Sequence, residues 1–154
     1  MQHLPLPRSR LVSSCLVAVS LFSAPAVWAW SALTIRGASG ATTGRIEADG
    51  TVRNRGGSSV GRINADGTVR NGSGSSIGRV DRNGTIRNGS GSSIGRVDDD
   101  GTLRERSGSS VGRLDGCVVR NASGSSRGRF DGCSTRDRHA MAAYLFFFEP
   151  LQNH

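Results

Sequence analysis

Lysine is absent from the sequence, and the stretch from Gly44 to Gly128 holds no aromatic residue. Nucleic-acid surfaces interleave basic residues with stacking aromatics, so no nucleic-acid partner is expected. Histidine is limited to His3, His139 and His154, and the recurring Gly-Ser-Gly-Ser-Ser segments have no paired base. A nucleophilic serine needs an oriented His or Lys, so neither an enzyme nor a cofactor is expected.

Long hydrophobic runs are missing too. The apolar stretch Leu11 to Phe22 is about a dozen residues, short of the ~20 that span a bilayer. Arg8 and Arg10 precede it and Ser23-Ala24-Pro25-Ala26-Val27-Trp28-Ala29 follows, which is the three-part layout of a secretory signal peptide. Cleavage is expected after Ala29, with Ala26 as the alternative, giving a secreted or periplasmic protein without a transmembrane segment. Cys15 lies near the start of the apolar stretch, whereas a lipoprotein cysteine follows it.

What remains, residues 30–154, is enough for one small domain. Removing Arg8 and Arg10 from the 20 arginines leaves 18 against 12 acidic residues, a net charge near +6. Such a charge attracts anionic surfaces, so an anionic glycan, a lipid head group or an envelope protein is the expected kind of partner. Only Cys117 and Cys133 remain, and an exported protein meets an oxidising compartment. They occupy equivalent turn tips in consecutive units, 16 residues apart, and are candidates for one disulfide.

The middle of the chain repeats. It reads GRIEADGTVRNRGGSSV from Gly44, GRINADGTVRNGSGSSI from Gly61, GRVDRNGTIRNGSGSSI from Gly78 and GRVDDDGTLRERSGSSV from Gly95, a period of 17 residues without a gap. A fifth unit from Gly112 is one residue shorter, a sixth opens at Gly128 as GRFDGCSTRD, and a half-unit from Leu33 to Gly40 precedes the first.

Each period contains two turn signals and two β-branched runs, so it reads as a hairpin. In the second unit Asp66-Gly67 suits the positive φ of a tight hairpin turn. Asn71-Gly72-Ser73-Gly74-Ser75-Ser76 reads as a longer, looser one. Gly61, Gly78, Gly95, Gly112 and Gly128 recur inside the second strand, where glycine is unfavourable unless the strand bends or something approaches closely; this suggests strands crowding a shared axis.

One hairpin buries about three branched side chains, here Ile63, Val69 and Ile77, at ~1.5 to 3 kcal/mol each. Ordering its backbone costs about 1 to 2 kcal/mol per residue, so a single unit cannot stand alone. Stability must come from neighbours and from closure. After Arg138 the chain turns apolar, from Ala140 through Phe146-Phe147-Phe148. Burial of this segment against the repeat sheet is expected, and no helix is expected anywhere in the domain.

The repeats GRI-x-x-DGTVRN-x-SGSSIG and the terminal run with consecutive Phe residues resemble the bacterial five-fold β-flower domain family, over Thr34 to about Phe148. The resemblance implies an all-β fold of about five to six short hairpins set radially in a shallow, closed, pseudo-symmetric barrel, in exported bacterial proteins. It brings no catalytic or ligand residues. The shortened turns Asp115-Gly116-Cys117 and Asp131-Gly132-Cys133 and the basic Arg136-Asp137-Arg138-His139 entry depart from the pattern.

Asp98, Asp99 and Asp100 before Gly101 form the most acidic turn and are the calcium candidates, but Ca²⁺ takes six to eight oxygens and Asx before Gly is ordinary turn chemistry. Arg45, Arg62, Arg79, Arg96, Arg113 and Arg129 form one column and Arg36, Arg53, Arg70, Arg87, Arg104 and Arg120 another. Guanidinium columns bind phosphate or carboxylate bidentately, which makes Arg45, Arg62, Arg79, Arg96 and Arg113 anion-binding candidates; beside turn carboxylates they form surface ion pairs instead.

The function expected is therefore an exported structural or binding module. The alternatives are a polymer-forming β-helix scaffold or a calcium-stabilised, adhesin-like envelope protein. Truncation before Ala140 is expected to abolish cooperative unfolding of residues 30–154; a truncated protein that melts as sharply and as high as the intact one would contradict core filling by the tail.

Overall fold

The computed structural model describes residues 31–150; the expected signal peptide and cleavage site, and Cys15, lie outside the described residues. Twelve short strands follow one another: β1 (Leu33–Gly37), β2 (Thr42–Ile46), β3 (Thr51–Asn54), β4 (Ser59–Ile63), β5 (Thr68–Asn71), β6 (Ser76–Val80), β7 (Thr85–Asn88), β8 (Ser93–Val97), β9 (Thr102–Glu105), β10 (Ser110–Asp115), β11 (Val118–Asn121) and β12 (Ser126–Asp131). Each pairs antiparallel with the next, and β1 pairs with β12, so the sheet closes into a barrel with no free edge.

The hairpin count is six. Five hairpins built on the acidic turn are continuous in the chain, while β12 finds its partner in β1, with Phe130 opposite Ile35 and Arg129 opposite Arg36. The first strand thus completes the last unit. The uniformly antiparallel ladder overturns the β-helix alternative, whose coils stack in parallel.

Both turn types close the same way. Glu47 N donates to Thr51 O at 2.8 Å and Gly50 N to Glu47 O at 2.8 Å, a three-residue loop ending on a left-handed glycine, φ 87°. Asn71 N donates to Ser75 O at 3.0 Å and Gly74 N to Asn71 O at 2.9 Å, so the turn expected to be loose is as tight as its counterpart. Asn71 Oδ1 holds it, accepting from Ser73 N and Ser75 N at 3.1 and 3.0 Å. The acidic turn also packs sideways: Ile63 N donates to Gly50 O at 2.9 Å, and a Cβ on Gly50 would lie 2.0 Å from Ile63 O.

Where the serine-rich turn joins two strands the ladder shifts by one residue, as at Val52/Arg53, where Val52 faces Gly61 and Arg53 faces Ser59. The extra residue, Val60 here and Ile77 in the next unit, is only partly buried. Ile77 is therefore not one of the three inward side chains of its unit; Ile63, Val69 and Val80 are buried.

The largest departure from the sequence reading is a helix. After a 3₁₀ turn at Thr135–Asp137, α1 (Arg138–Phe147) carries Ala140 to Leu145 buried without interruption. These residues share one core with the inward residues of the strands. The physical reason is closure: a segment inside an edgeless barrel has no ladder to join, so its backbone groups must bond within the segment, and only a helix does that. Burial on every side marks a helix surrounded by protein.

The recurring strand glycines receive this plug. A Cβ on Gly61 would fall 2.5 Å from the Phe148 ring, on Gly78 2.4 Å from Phe147 and on Gly95 2.5 Å from Phe146. Three consecutive rings thus radiate to β4, β6 and β8, while Tyr144 takes Gly44 of β2 and meets the Phe130 ring edge-on at 5.9 Å. At these four glycines an aromatic ring and the carbonyl of the paired strand come closest, whereas Gly128 meets the paired strand alone, at Arg36 O.

Alanine at Gly78 would also sit 2.3 Å from Arg87 O. Gly78→Ala is expected to lower the unfolding free energy by about 1–3 kcal/mol as an overpacked core does, and Gly89→Ala, in an exposed turn, by less than ~0.5 kcal/mol. Equal losses in chemical denaturation would contradict the ring-on-glycine fit.

Candidate functional site: the outer arginine face

Strand alternation that turns Ile46, Val52 and their equivalents inward turns the arginines outward. The two columns meet as direct cross-strand pairs: Arg45 with Arg53, Arg62 with Arg70, Arg79 with Arg87, Arg96 with Arg104, Arg113 with Arg120 and Arg129 with Arg36. Like charges directly opposite one another destabilise a sheet, so each pair needs a counter-charge.

The first residue of the acidic turn supplies it. Asp81 gives Oδ1 to Arg79 Nε at 2.7 Å and Oδ2 to Arg87 Nε at 2.8 Å. Asp98 bridges Arg96 and Arg104 at 2.7 Å each, and Asp131 bridges Arg129 and Arg36. Glu47 and Asp115 take only the second arginine of their pairs, Arg53 and Arg120. The second unit carries Asn64 at this place, and Arg62 turns to the neighbouring Asp49, with N···O 3.5 Å to its carboxylate.

The odd-strand arginines have a further task. Arg36, Arg53, Arg70, Arg87, Arg104 and Arg120 each donate from Nη1 to the carbonyl of the left-handed glycine four residues on, Gly40, Gly57, Gly74, Gly91, Gly108 and Gly124, at 2.8–3.1 Å. In five of the six, all but Arg70, one guanidinium therefore ties the acidic turn to the serine-rich turn at the other end of the barrel. Sequence reasoning missed this, although the constant Arg-to-Gly spacing of four was its signal.

The acidic cluster does not converge. Asp98 is held by two guanidiniums, and Asp100 accepts from Thr102 N at 2.9 Å. Asp99 contributes to the electrostatic field at His139. Among the described residues no three His, Cys, Asp or Glu side chains are grouped as metal ligands would be. Asp49, Asp66 and Asp100 have their pKa lowered, chiefly because the backbone N–H of Thr51, Thr68 and Thr102 donates to the charged carboxylate.

Of the anion candidates, Arg62, Arg79 and Arg96 engage carboxylates, whereas Arg45 and Arg113 carry no side-chain hydrogen bond or ion pair to the described residues. Cys117 and Cys133 are joined, with Cα atoms 5.8 Å apart. Each belongs to a shortened turn that keeps the first carboxylate, Asp115 or Asp131, but lacks the second turn residue of the type of Asn83 or Asp100, and Phe130 N donates to Cys117 O at 2.8 Å, the bond a turn glycine accepts elsewhere. The bridge lies where the chain leaves β12 for the plug, beside a cleft of about 270 Å³ shared by Leu114, Arg138 and Met141.

Two other concavities open outward. A groove of about 380 Å³ runs over Thr68, Ser76, Arg79, Arg87 and Asn88. Another, about 290 Å³, lies at the β1/β12 seam between Arg127 and Glu149 and has Leu145 in its wall. At the same mouth the Tyr144 hydroxyl is flanked by Thr43 and Glu149; burial first, then the Glu149 charge, raises its pKa.

These features define a class: a closed antiparallel barrel of repeated hairpins, filled by its own helix and clad in bridged arginines. The chain belongs to the 5-fold beta-flower protein family, whose model matches residues 32–149. No curated protein and no solved structure matches it.

Acid should weaken the fold in two stages. The pKa of His139 is lowered by burial and then by Arg138, with Asp99 opposing, so the unfolded chain takes up its proton first and stability falls as pH drops below ~6.5. Asp49, Asp66, Asp100 and Asp131 are also lowered; their contribution is present above ~3.9 and is lost as pH falls through their folded values. Melting temperature against pH is expected to show both stages, and His139→Gln to remove the upper one; an unchanged upper stage would contradict the assignment.

Proposed function

We propose that this protein is an exported, non-catalytic binding module whose working surface is the arginine-clad outer wall. The observation that carries the reading is the plug: α1 occupies the bore, so the chemistry open to a partner lies on the outside, where guanidiniums outnumber the carboxylates that bridge them. Strands of four to six residues, against the 9–11 of a membrane barrel strand, favour a wall that faces water. Among the described residues no helix is long and apolar enough to cross a membrane.

Export is supported by the N-terminal layout of charge, apolar stretch and small residues, and by the Cys117–Cys133 bridge, which suits an oxidising compartment. A partner bearing repeated negative charge, such as an acidic glycan or an anionic lipid head group, suits a surface on which each exposed contact contributes only ~0–1 kcal/mol, because many weak contacts add through multivalency. A structural role for the same lattice is the second reading, favoured by the three fully bridged pairs at Asp81, Asp98 and Asp131.

The two readings separate on an immobilised acidic polysaccharide. Residues 30–154 are expected to be retained at low ionic strength and released as salt screens the wall. Passage without retention would leave the structural reading.

A further inference from the structure

The repeats act as an internal comparison for one position. Where Asp81, Asp98 and Asp131 stand, a carboxylate lies between two opposed guanidiniums and gives one oxygen to each Nε. The second unit has the same opposed pair, Arg62 and Arg70, in the same register, with the neutral Asn64 at the bridging place. Among the described residues the Asn64 side chain makes no hydrogen bond, and Arg70 donates to Gly74 O alone, at 2.8 Å, with the Asp66 charge in range but no ion pair formed.

An independent feature agrees. Arg36, Arg53, Arg87, Arg104 and Arg120, each held by a turn carboxylate, are all partly buried, whereas Arg70 is exposed. Arg62 compensates only loosely, donating Nε and Nη2 to Asp49 O at 3.3 and 3.1 Å and reaching the Asp49 carboxylate at 3.5 Å, with both side chains more than half exposed, so a ligand oxygen at Nε takes the place of the Asp49 carbonyl. Asp49 itself is already committed to Thr51, through N at 2.9 Å and Oγ1 at 3.0 Å.

We propose that Arg62 and Arg70 form a binding site for a carboxylate supplied by another molecule, which bridges the two guanidiniums from the solvent side of Asn64 as the Asp81 carboxylate bridges Arg79 and Arg87. The preference for a carboxylate over other anions rests on that internal cast: two oxygens, one per Nε, across a fixed antiparallel pair. Arg45, which has no ion pair among the described residues, lies on β2, two strands from Arg62, about 10 Å at the usual strand spacing, so a chain bearing several carboxylates can extend from one to the other. This site rests on the reading of the outer wall as a binding surface and specifies its ligand chemistry.

The test follows arginine Nε–H signals by NMR as acetate replaces chloride at constant ionic strength. Arg62 and Arg70 are expected to shift saturably, with affinity about tenfold above the response of exposed turn arginines such as Arg55 and Arg106. Asn64→Asp should abolish the shift by filling the site from within, and Asp81→Asn should transfer it to Arg79 and Arg87. Arg62 and Arg70 responding no more than Arg55, or an Asn64→Asp protein that still saturates, would overturn the proposal. Saturation by acetate without retention on an acidic polysaccharide would keep the site and reject the polymer-binding reading; retention without saturation at Arg62 and Arg70 would do the reverse.

Discussion

The fit of aromatic rings from one short helix onto glycines of the surrounding strands is the contact on which the barrel depends. A barrel of about eight strands is just wide enough for its own side chains to fill, and this one has twelve. Valine, isoleucine and leucine pointing inward leave a bore that they cannot close. Placing Ala140 to Leu145 along that bore, and three phenylalanines against Gly61, Gly78 and Gly95, fills it without lengthening any strand. Four repeats place a glycine inside an otherwise β-branched strand for this reason, at Gly44, Gly61, Gly78 and Gly95.

A second constraint acts on the outside. The register that turns apolar residues inward sets arginine opposite arginine six times, and the turn carboxylates relieve most of that repulsion. Because an Arg–carboxylate pair at the surface is worth ~0–1 kcal/mol, the lattice contributes to order and to turn geometry more than to net stability. It also makes each departure from the repeat chemically visible: Asn64 exposes a guanidinium pair, and the clipped turns bring Cys117 and Cys133 together where the chain changes from sheet to plug.

The sequence was most legible where the physics is local. The period of 17, the β-branched runs and the Asp-Gly turns announced hairpins, and the need for closure followed from how little a single unit buries. The serine-rich turn was misread because the grip of Asn71 Oδ1 on two amides is not apparent from composition. The helix was hidden because a nine-residue apolar run reads equally as strand or helix, and what decides is the absence of any sheet edge inside the bore. The glycine column was noticed, but its partners lie far away in the chain, at Phe146 to Phe148. Asn64 could be aligned with Asp81 and Asp98 from sequence; that this place bridges two arginines emerged only from the register.

Native-state hydrogen exchange on residues 30–154 tests the central claim most directly. If plug and barrel are one cooperative unit, the amides of Ala143 to Phe147 exchange with the same opening free energy as those of β1 and β12, because the helix is released only when the seam opens. Helix amides that exchange by a separate, much cheaper opening while the strands stay protected would contradict that account, and would mean that the barrel closes without its plug.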